Sequence, residues 1–404
     1  MTQQLELVAI TAFGLEAVVA RELRDLGYPE TTVEDGRVRF KGDAAAICRT
    51  NLWLRCAERV QVVVGEFDAV DFDQLFDQTK ELPWEEWLPV DAIFPVGARS
   101  VRSVINSPRN VQRMVKRSIV ERLKTVYNRH RFAEDGVEYP IEVSILRDKV
   151  LMTIDATGDG LHKRGYRQLV GPAPLRETVA AALLKLSYWN RNRLLVDPFC
   201  GSGTIAIEAA LLGRNLAPGR DRSFVAENWN QIDLKHWKDA RQEARDLVEP
   251  PLPIRIVARD RDRKMISIAK RNANEAGIFS EIFFEAKDFI SFPTDRDFGC
   301  TVANPPYGER LGEKNEVRQL HHDMGELLIP LEDWSHYIFT GADNFEREFG
   351  KRADRRRKIF SGRIPCTYYQ YLGPRPPQEA NETDSENVDT SVNTEDDYST
   401  PGEF

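Results

Sequence analysis

The chain has 404 residues, of which 41% are hydrophobic and 30% charged, and its formal net charge is −8. This length and hydrophobic content predict two or three globular domains, each with a core of its own, and exclude a wholly disordered chain. The sequence has no run of eighteen apolar residues and its five cysteines form no C-x-x-C pair, so we expect a soluble, cytoplasmic protein with no membrane span, no zinc site and no disulfide framework.

The negative charge is concentrated at the carboxyl end. Nine acidic residues and no Lys or Arg lie between Gln378 and Phe404, which leaves 56 basic and 55 acidic residues in the rest of the chain. A segment this polar cannot bury enough apolar surface to offset the entropy of ordering it. We therefore predict a disordered acidic tail over residues 374–404 and a body that is almost neutral.

Residues 1–68 alternate between strand-like and helical patterns. LELVAI predicts a strand and GLEAVVARELRDLG a helix that ends at Gly27. The Asp-Gly pair in VEDGRVRF predicts a hairpin, and a second helix, AAAICRTNLWLRCAERV, precedes the strand VQVVVGEF. This order of elements is typical of a small α+β fold of ferredoxin-like type.

Residues 69–160 contain the most basic stretch of the chain. The predicted order is an amphipathic helix, a strand, the long helix NVQRMVKRSIVERLKTVY and a closing hairpin. Ten Lys or Arg residues and one acid, Glu121, lie between Arg99 and Arg131. Such charges usually form a solvated helix face, but this density also suits contacts with nucleic-acid phosphates. The candidate contacts are Arg109, Arg113, Lys116 and Arg117.

A second kind of signal begins after a Gly- and Pro-containing linker, predicted over residues 161–175. LLVDPFCGSGTIAIEAALL, from Leu194 to Leu212, predicts a buried strand, a tight turn and an apolar helix. Gly201 and Gly203 let the backbone approach a ligand closely, and the free amides of the helix start face that ligand. A turn that binds nothing is the alternative.

The residues of this turn favour one ligand. The turn has no lysine for a P-loop, and it matches the dinucleotide fingerprint only loosely. The Asp197 carboxylate would repel a pyrophosphate but suits the ammonium group of S-adenosylmethionine, which is therefore the expected cofactor. The predicted contacts are Asp197, Pro198, Phe199, Cys200, Gly201, Ser202 and Gly203.

Two further strand ends carry aspartates. PIRIVARDRD predicts a strand that ends at Asp260, which we expect to bind the ribose hydroxyls, with Asp262 as the alternative. IFFEAKDFISF predicts another strand, after which Asp288 would accept the adenine amino group while Phe289 packs on the ring. Any one of these aspartates could instead cap a helix. Strands alternating with helices over residues 176–373 predict a doubly wound α/β domain.

The segment TVANPPYG, from Thr301 to Gly308, predicts a strand that ends at two prolines, which donate no ladder hydrogen bonds. Asn304 is conformationally restricted because it precedes a proline. The Asn304 side-chain oxygen and the Pro305 carbonyl could accept both hydrogens of a nucleobase amine and turn its lone pair toward a methyl donor. Tyr307, after Pro306, could stack on the base. A bare turn is the alternative.

VDPFCGSGT, EAALLGRNLAPG and VANPPYGERLG resemble the methyltransferase domain of the bacterial 23S rRNA (guanine-N2)-methyltransferases and their tRNA relatives. GLEAVVARELRDLGY and LHKRGYR are similar to the N-terminal, THUMP-containing half of that family. The resemblance implies a THUMP domain at residues 69–160 and a Rossmann-like class I methyltransferase domain at residues 176–373. It also suggests that Arg164 and Arg167 contact RNA, although packing at a domain boundary would explain them equally well.

The sequence thus predicts methylation of guanine N2 in structured RNA, with 23S rRNA favoured and tRNA as the alternative. Asn-Pro-Pro-Tyr also occurs in adenine-DNA and glutamine-protein methyltransferases, but these activities would leave the basic stretch and the N-terminal half without a role. A non-catalytic RNA-binding assembly factor is a third hypothesis. His321 and His322 are adjacent on a predicted helix and point to different faces, so we expect no metal there.

Overall fold

The computed structural model describes residues 4–167, 175–292, 296–306, 314–362 and 364–376. The described residues up to Pro374 form one compact unit, and this unit contains two seven-stranded sheets within those ranges. Arg375 and Pro376 have no regular secondary structure. Residues 377–404, and with them almost all of the predicted acidic tail, lie outside the described residues.

The first sheet belongs to the N-terminal half and has the strand order β2-β3-β1-β4-β7-β6-β5. Strand β4 pairs antiparallel with β1 on one side and with β7 on the other. The predicted boundary after residue 68 therefore lies within a continuous sheet, because β4 is shared by both predicted domains. The elements are β1 (Leu5–Thr11), α1 (Glu16–Asp25), β2 (Thr31–Glu34), β3 (Arg37–Gly42), α2 (Ala44–Trp53), β4 (Ala57–Asp68), α3 (Phe72–Glu81), β5 (Val96–Val101), α4 (Pro108–Tyr127), β6 (Ile141–Leu146) and β7 (Lys149–Asp155).

Local chemistry explains the limits of these helices. Asp43 and Asp71 cap α2 and α3, because each side chain accepts a hydrogen bond from a backbone N–H of the first turn. Pro108 begins α4, where its missing N–H costs nothing, and Asn128 ends that helix with a left-handed φ of 50°. Four apolar residues of α4, Val111, Val115, Ile119 and Leu123, are buried, whereas Val126 near its end is 42% exposed.

The second sheet has the strand order β10-β9-β8-β11-β12-β14-β13. Strands β8 to β12 are parallel, whereas β14 is antiparallel to both of its neighbours. The order reverses at β8, and such a switch point leaves a crevice at the carboxyl ends of the central strands. The predicted doubly wound domain is confirmed. Its elements are α5 (Glu177–Lys185), β8 (Leu195–Asp197), α6 (Thr204–Gly213), α7 (Leu234–Asp246), β9 (Ile256–Asp260), α8 (Arg263–Glu275), β10 (Ile282–Ala286), β11 (Cys300–Ala303), α9 (Lys314–Leu328), β12 (Ser335–Thr340), α10 (Phe345–Phe349), β13 (Arg355–Ser361) and β14 (Ile364–Tyr371).

Side chains tie the two halves together around Glu58. Its carboxylate accepts a hydrogen bond from the Thr178 hydroxyl at 2.6 Å and lies 2.7 Å from His162 Nδ1. Burial by itself would raise the pKa of Glu58, but these hydrogen bonds and the charge of Arg176 lower it to about 2. Farther along the contact, Arg49 Nη2 lies 2.7 Å from Glu243 on α7.

The predicted linker contains a buried ionic cluster. Arg164 is 5% exposed, and its guanidinium lies 3.1 Å from Glu208 and donates to the Arg55 carbonyl at 2.6 Å. Tyr166 donates to the same Glu208 carboxylate at 2.9 Å. Protein atoms thus enclose the Arg164 guanidinium, which weakens the prediction that Arg164 contacts RNA. The burial favours the alternative, packing at the domain boundary.

Arg167 is held in the same way. Its guanidinium donates to the Leu175 carbonyl at 2.6 Å and lies 3.1 Å from Glu177, and only 12% of its side chain is exposed. A protein carbonyl and a carboxylate thus already bind this guanidinium, which weakens the prediction that Arg167 contacts RNA. Residues 168–174 of the predicted linker lie outside the described residues.

All five cysteines are buried and free. Within the described ranges, no helix is long and apolar enough to cross a membrane. The same ranges contain no group of three or more His, Cys, Asp or Glu side chains placed to hold a metal ion.

Candidate active site

A cavity of about 690 Å³ opens at the carboxyl ends of β8, β9 and β11, where the strand order reverses. It brings together most of the residues predicted to form the site, which come from four separate segments. These are Asp197, Pro198, Phe199, Cys200, Gly201, Ser202, Asp260, Asp288, Phe289, Asn304, Pro305 and Pro306. Tyr307 lies outside the described residues.

The glycine turn is fastened to the neighbouring strand β9. Cys200 N–H donates to the Arg259 carbonyl at 2.8 Å, and Gly201 N–H donates to Asp260 Oδ2 at 2.9 Å. Gly201 has φ +50° and Gly203 has φ +86°, conformations that side chains rarely adopt. The turn is therefore preformed.

Gly203 does not line the cavity, and its contact with the cofactor stays a prediction. A Cβ at this position would lie 3.0 Å from the Ala269 Cβ. Gly203 thus allows α6 to pack closely on α8, whereas Gly201 faces the cavity. The two glycines, predicted alike from the sequence, thus differ in position: one lies at a helix contact and the other in the cavity wall.

Asp197 is buried at the end of β8, with 1% exposure. Its Oδ1 accepts a hydrogen bond from Phe199 N–H at 3.3 Å, while Oδ2 has no hydrogen-bond partner in the part of the chain that the structure describes. Burial raises the pKa of Asp197 well above its usual range, and the nearby negative charge of Asp260 adds to this. A cationic group in the cavity would satisfy Oδ2 and stabilise the ionised carboxylate. The site therefore fits an ammonium group.

Asp260 and Asp262 have different roles. Asp260 lines the cavity and accepts hydrogen bonds from Gly201 N–H and Asp262 N–H, both at 2.9 Å. Burial raises the pKa of its carboxyl. Asp262 is exposed and caps α8 by accepting from Lys264 N–H at 2.7 Å. The geometry favours Asp260 for a ligand and assigns Asp262 to the helix cap.

Asp288 and Phe289 form another wall of the cavity. Strand β10 ends at Ala286, earlier than predicted, and Asp288 caps a short 3-10 helix by accepting from Ile290 N–H at 3.2 Å. The ring centroids of Phe289 and Phe199 are 5.4 Å apart. The two rings, tilted by 36° to each other, thus give this side of the cavity an apolar lining suited to a purine.

Asn304 lies at the same sheet edge as Asp197. Strand β11 pairs in parallel with β8, with Thr301 opposite Val196, and neighbouring strands are about 4.8 Å apart. Asn304 Oδ1 is buried and accepts no hydrogen bond from any described residue. Two unsatisfied acceptors, Asp197 Oδ2 and Asn304 Oδ1, therefore belong to residues that line one cavity. An orphaned buried oxygen is costly unless a ligand supplies the donor.

Helix α9 supplies a wall that the sequence analysis missed. Glu316, Gln319, Leu320 and Asp323 line the cavity, at a spacing that places them on one helix face. Gln319 donates to Asp323 at 2.6 Å. The helical spacing of these four residues is visible in the sequence and could have predicted a shared face. The other lining residues not predicted are Leu175, Thr204, Ile205, Arg261, Met265 and Ile290.

The basic helix α4 has both free and paired cations. Arg109, Arg113 and Arg117 are exposed, and the Arg117 guanidinium lies 5.6 Å from the Phe76 ring centroid. Lys116 instead donates to Glu134 at 2.7 Å and to the Phe94 carbonyl at 3.0 Å. Its ammonium is thus partly satisfied within the protein, which weakens the prediction that it contacts phosphate.

Three family models match the chain in succession. They are the RlmL ferredoxin-like domain at residues 6–61, the THUMP domain at residues 69–155 and the RMKL-like methyltransferase domain at residues 164–370. The last model covers about half of the chain and includes the cavity.

Similar proteins carry related names. A Bacillus subtilis (strain 168) protein named RNA methyltransferase YpsC is 49% identical over 92% of this chain and 97% of its own length. The ribosomal RNA large subunit methyltransferase K/L of Syntrophotalea carbinolica is 35% identical over 91% of this chain, which matches 53% of that longer protein. The crystal structure of SMU.472, a methyltransferase complexed with SAH, is 41% identical, with a TM-score of 0.88 over 93% of this chain and 100% of that one.

Proposed function

This chain belongs to the RlmL-like RNA methyltransferases, and from that premise we propose that it methylates N2 of a guanine in structured RNA, with 23S rRNA as the preferred substrate. The observation that carries the proposal is the pair of unsatisfied oxygens, Asp197 Oδ2 and Asn304 Oδ1, on residues of one cavity. One acceptor suits the cofactor and the other suits the amine to be methylated.

The cofactor is S-adenosylmethionine, which supplies an electrophilic methyl group on a sulfonium when it is bound. Asp197 Oδ2 would accept a hydrogen bond from its ammonium group. Asp260 would accept hydrogen bonds from its ribose hydroxyls, since each carboxylate oxygen keeps a second lone pair beside the backbone N–H that it already binds. Phe199 and Phe289 offer apolar surface to the adenine.

The protein acts on the substrate by orientation. Asn304 Oδ1 and the Pro305 carbonyl would accept the two hydrogens of the guanine amine, which directs its lone pair toward the sulfonium methyl. Burial of Asn304 Oδ1 strengthens this hydrogen bond, because little water competes for it. No covalent intermediate on the protein is required, and the rate gain comes from positioning in a preformed site.

The N-terminal half would capture the RNA. Arg109, Arg113 and Arg117 are exposed on α4, where they can contact phosphates. A-form RNA is recognised mainly by shape and backbone, because its deep major groove is not readable by side chains. Replacing all three arginines with Gln should reduce the slope of log affinity against log salt by about 2 to 3. Arg122→Gln is the control, since that side chain is paired with Glu85 at 2.6 Å and should leave the slope unchanged.

Product identification tests the reaction. The protein is incubated with labelled S-adenosylmethionine and either 23S rRNA or tRNA from cells that lack it, and the digested nucleosides are analysed by mass spectrometry. We expect N2-methylguanosine in the rRNA. The same product in tRNA alone would reverse the substrate preference, methyladenosine would refute the guanine assignment, and no product in either RNA would refute the proposal.

An Asn304→Ala variant tests the role of the amide. Turnover should fall to background while RNA affinity is retained, because Asn304 lies in the cavity and not on α4. Asn274→Ala on the exposed face of α8 is the matched control and should keep wild-type turnover. A silent RNA-binding factor would show no turnover in any of the three proteins, and full turnover in Asn304→Ala would refute the proposed role of the amide.

A further inference from the structure

Two exposed phenylalanines meet at the contact between the halves of the protein. Phe13, in the loop between β1 and α1, is 51% exposed, and Phe360, near the end of β13, is 39% exposed. Their ring centroids are 6.1 Å apart and the rings meet edge to face at 66°. Neither ring lines the cavity. The pair is a small apolar surface with no role in the chemistry proposed above.

The pair is held by backbone contacts and does not sit on a loose loop. Phe360 N–H donates to the Phe13 carbonyl at 3.4 Å, and Arg357 Nε donates to the Gly14 carbonyl at 2.8 Å. Gly14 has φ +91°, and a Cβ there would lie 2.1 Å from the Lys358 carbonyl oxygen. The Glu16 carboxylate accepts from Gly14 N–H at 2.9 Å. The two rings are therefore presented to solvent by a fixed backbone.

The pair lies at the catalytic edge of the second sheet. Strand β14 is antiparallel to both β12 and β13, so β13 runs in the same direction as β11 and β12, and Phe360 lies toward the edge that holds Asn304. Strands β12 and β14 separate β13 from β11, which makes three strand spacings, or about 14 Å. A few nucleotides of RNA can span this distance.

The strand register also places a cation beside the rings. Thr340, the last residue of β12, is opposite Thr367, which is opposite Lys358. Phe360 is two residues farther along β13, so it extends about 7 Å past the end of β12. Lys358 and Phe360 are two residues apart and therefore lie on the same face of β13. Lys358 is exposed and has no acidic partner within ion-pair distance among the described residues.

We propose that Phe13, Phe360 and Lys358 form a stacking platform for an unpaired nucleotide that flanks the target guanine. Aromatic rings bind nucleobases by stacking, with little sequence preference, and a neighbouring cation neutralises phosphate. The platform would hold the strand on one side of the target while the cavity holds the guanine. The inference deepens the proposed function, since it depends on RNA being the substrate.

Fluorescence anisotropy with two labelled probes of equal charge tests the platform. One probe is a single-stranded oligoadenylate dodecamer, and the other is a ribose-phosphate dodecamer of the same length without bases. For the Phe13→Ala/Phe360→Ala variant we expect about tenfold weaker binding of the oligoadenylate and unchanged binding of the abasic probe. A variant with Tyr at both positions should restore wild-type affinity.

Phe283→Ala is the matched control. Phe283 is 47% exposed on β10, the opposite edge strand of the same sheet, and its removal should change neither affinity. Thermal melting checks that the double variant folds. If it does not, Phe13→Ala alone keeps the Phe360 ring and should weaken oligoadenylate binding about fivefold.

Three results would overturn the platform. The Ala variant could bind oligoadenylate as tightly as wild type, or it could bind both probes more weakly by the same factor. A change in self-association alone, measured by sedimentation, would assign the pair to a contact between copies of the chain. Failure of the proposed function is distinguishable, because the binding assay requires no turnover. A platform confirmed with both probes could accompany a protein that methylates neither RNA.

Discussion

Replacing Asp197 with Asn should weaken cofactor binding and stabilise the free protein, two effects of opposite sign from one atom. Asn keeps the oxygen that accepts from Phe199 N–H but removes the charge from the position of Oδ2. A hydrogen bond between a charged pair contributes about 1.5 to 3 kcal/mol. The dissociation constant for S-adenosylmethionine should therefore rise roughly 10- to 150-fold.

The gain in stability follows from the burial of Asp197. In the free protein its carboxylate is enclosed with one unsatisfied oxygen, and a neutral amide of the same shape is less costly to bury. We expect the free variant to gain about 1 kcal/mol, which raises its melting temperature by about 1 to 2 °C. Calorimetric titration and thermal melting measure the two effects.

Wild type and Asp197→Asn should also differ in how stability and cofactor affinity depend on pH. Because the pKa of Asp197 is raised in the folded state, the wild-type carboxyl becomes ionised at a higher pH than in the unfolded chain. Its burial therefore opposes folding increasingly as the pH rises from the unfolded pKa to the folded one. Cofactor affinity should increase over the same rise in pH, since only the carboxylate pairs with the ammonium. Both trends should be weaker in the Asn variant, in which Asp260 is the remaining cavity carboxyl with a pKa raised by burial.

Asp262→Asn is the control for this substitution. Asp262 is exposed and caps α8, and Asn is as good a helix cap as Asp. The Asp262→Asn variant should bind the cofactor with the same affinity as wild type. Wild-type affinity in Asp197→Asn, or a loss of stability in the absence of cofactor, would refute the argument that Oδ2 awaits a cation.

Three other predictions concern stability. Gly14→Ala should destabilise the protein more than Gly27→Ala, because both glycines have φ near +90° but only Gly14 is packed against the β13 backbone; thermal melting of the two variants tests this. Glu208→Gln leaves the charge of Arg164 buried without its carboxylate partner and should cost about 3 to 5 kcal/mol in urea unfolding, and a loss below 1 kcal/mol would contradict this. The pKa of Glu58 is lowered to about 2 although burial opposes this, so its stabilising contribution is complete above the unfolded pKa and declines as the pH falls toward 2; the difference in melting temperature between wild type and Glu58→Gln should shrink from pH 7 to pH 3.

Features that depend only on neighbouring residues could be predicted from the sequence. The glycine turn after β8, the double proline after β11 and the buried stripe of α4 were predictable, because backbone dihedrals, missing N–H groups and helical periodicity are local properties. Parallel strands place their carboxyl ends at one edge, so the meeting of Asp197, Asp260 and Asn304 in one cavity also followed from the order of the elements.

The accessibility of charged side chains and the pairing of helix faces could not be predicted from the sequence, because both depend on tertiary packing. Arg164 is buried because Glu208, on α6, and the carbonyl of Arg55, in the N-terminal half, enclose it. Gly203 packs on Ala269 of α8 while Gly201 faces the cavity, although the sequence makes both glycines equal candidates. Whether a charge is buried, and whether a glycine contacts another helix, depends on groups that packing brings close. That packing joins residues tens to hundreds of positions apart, a distance over which local patterns carry no information.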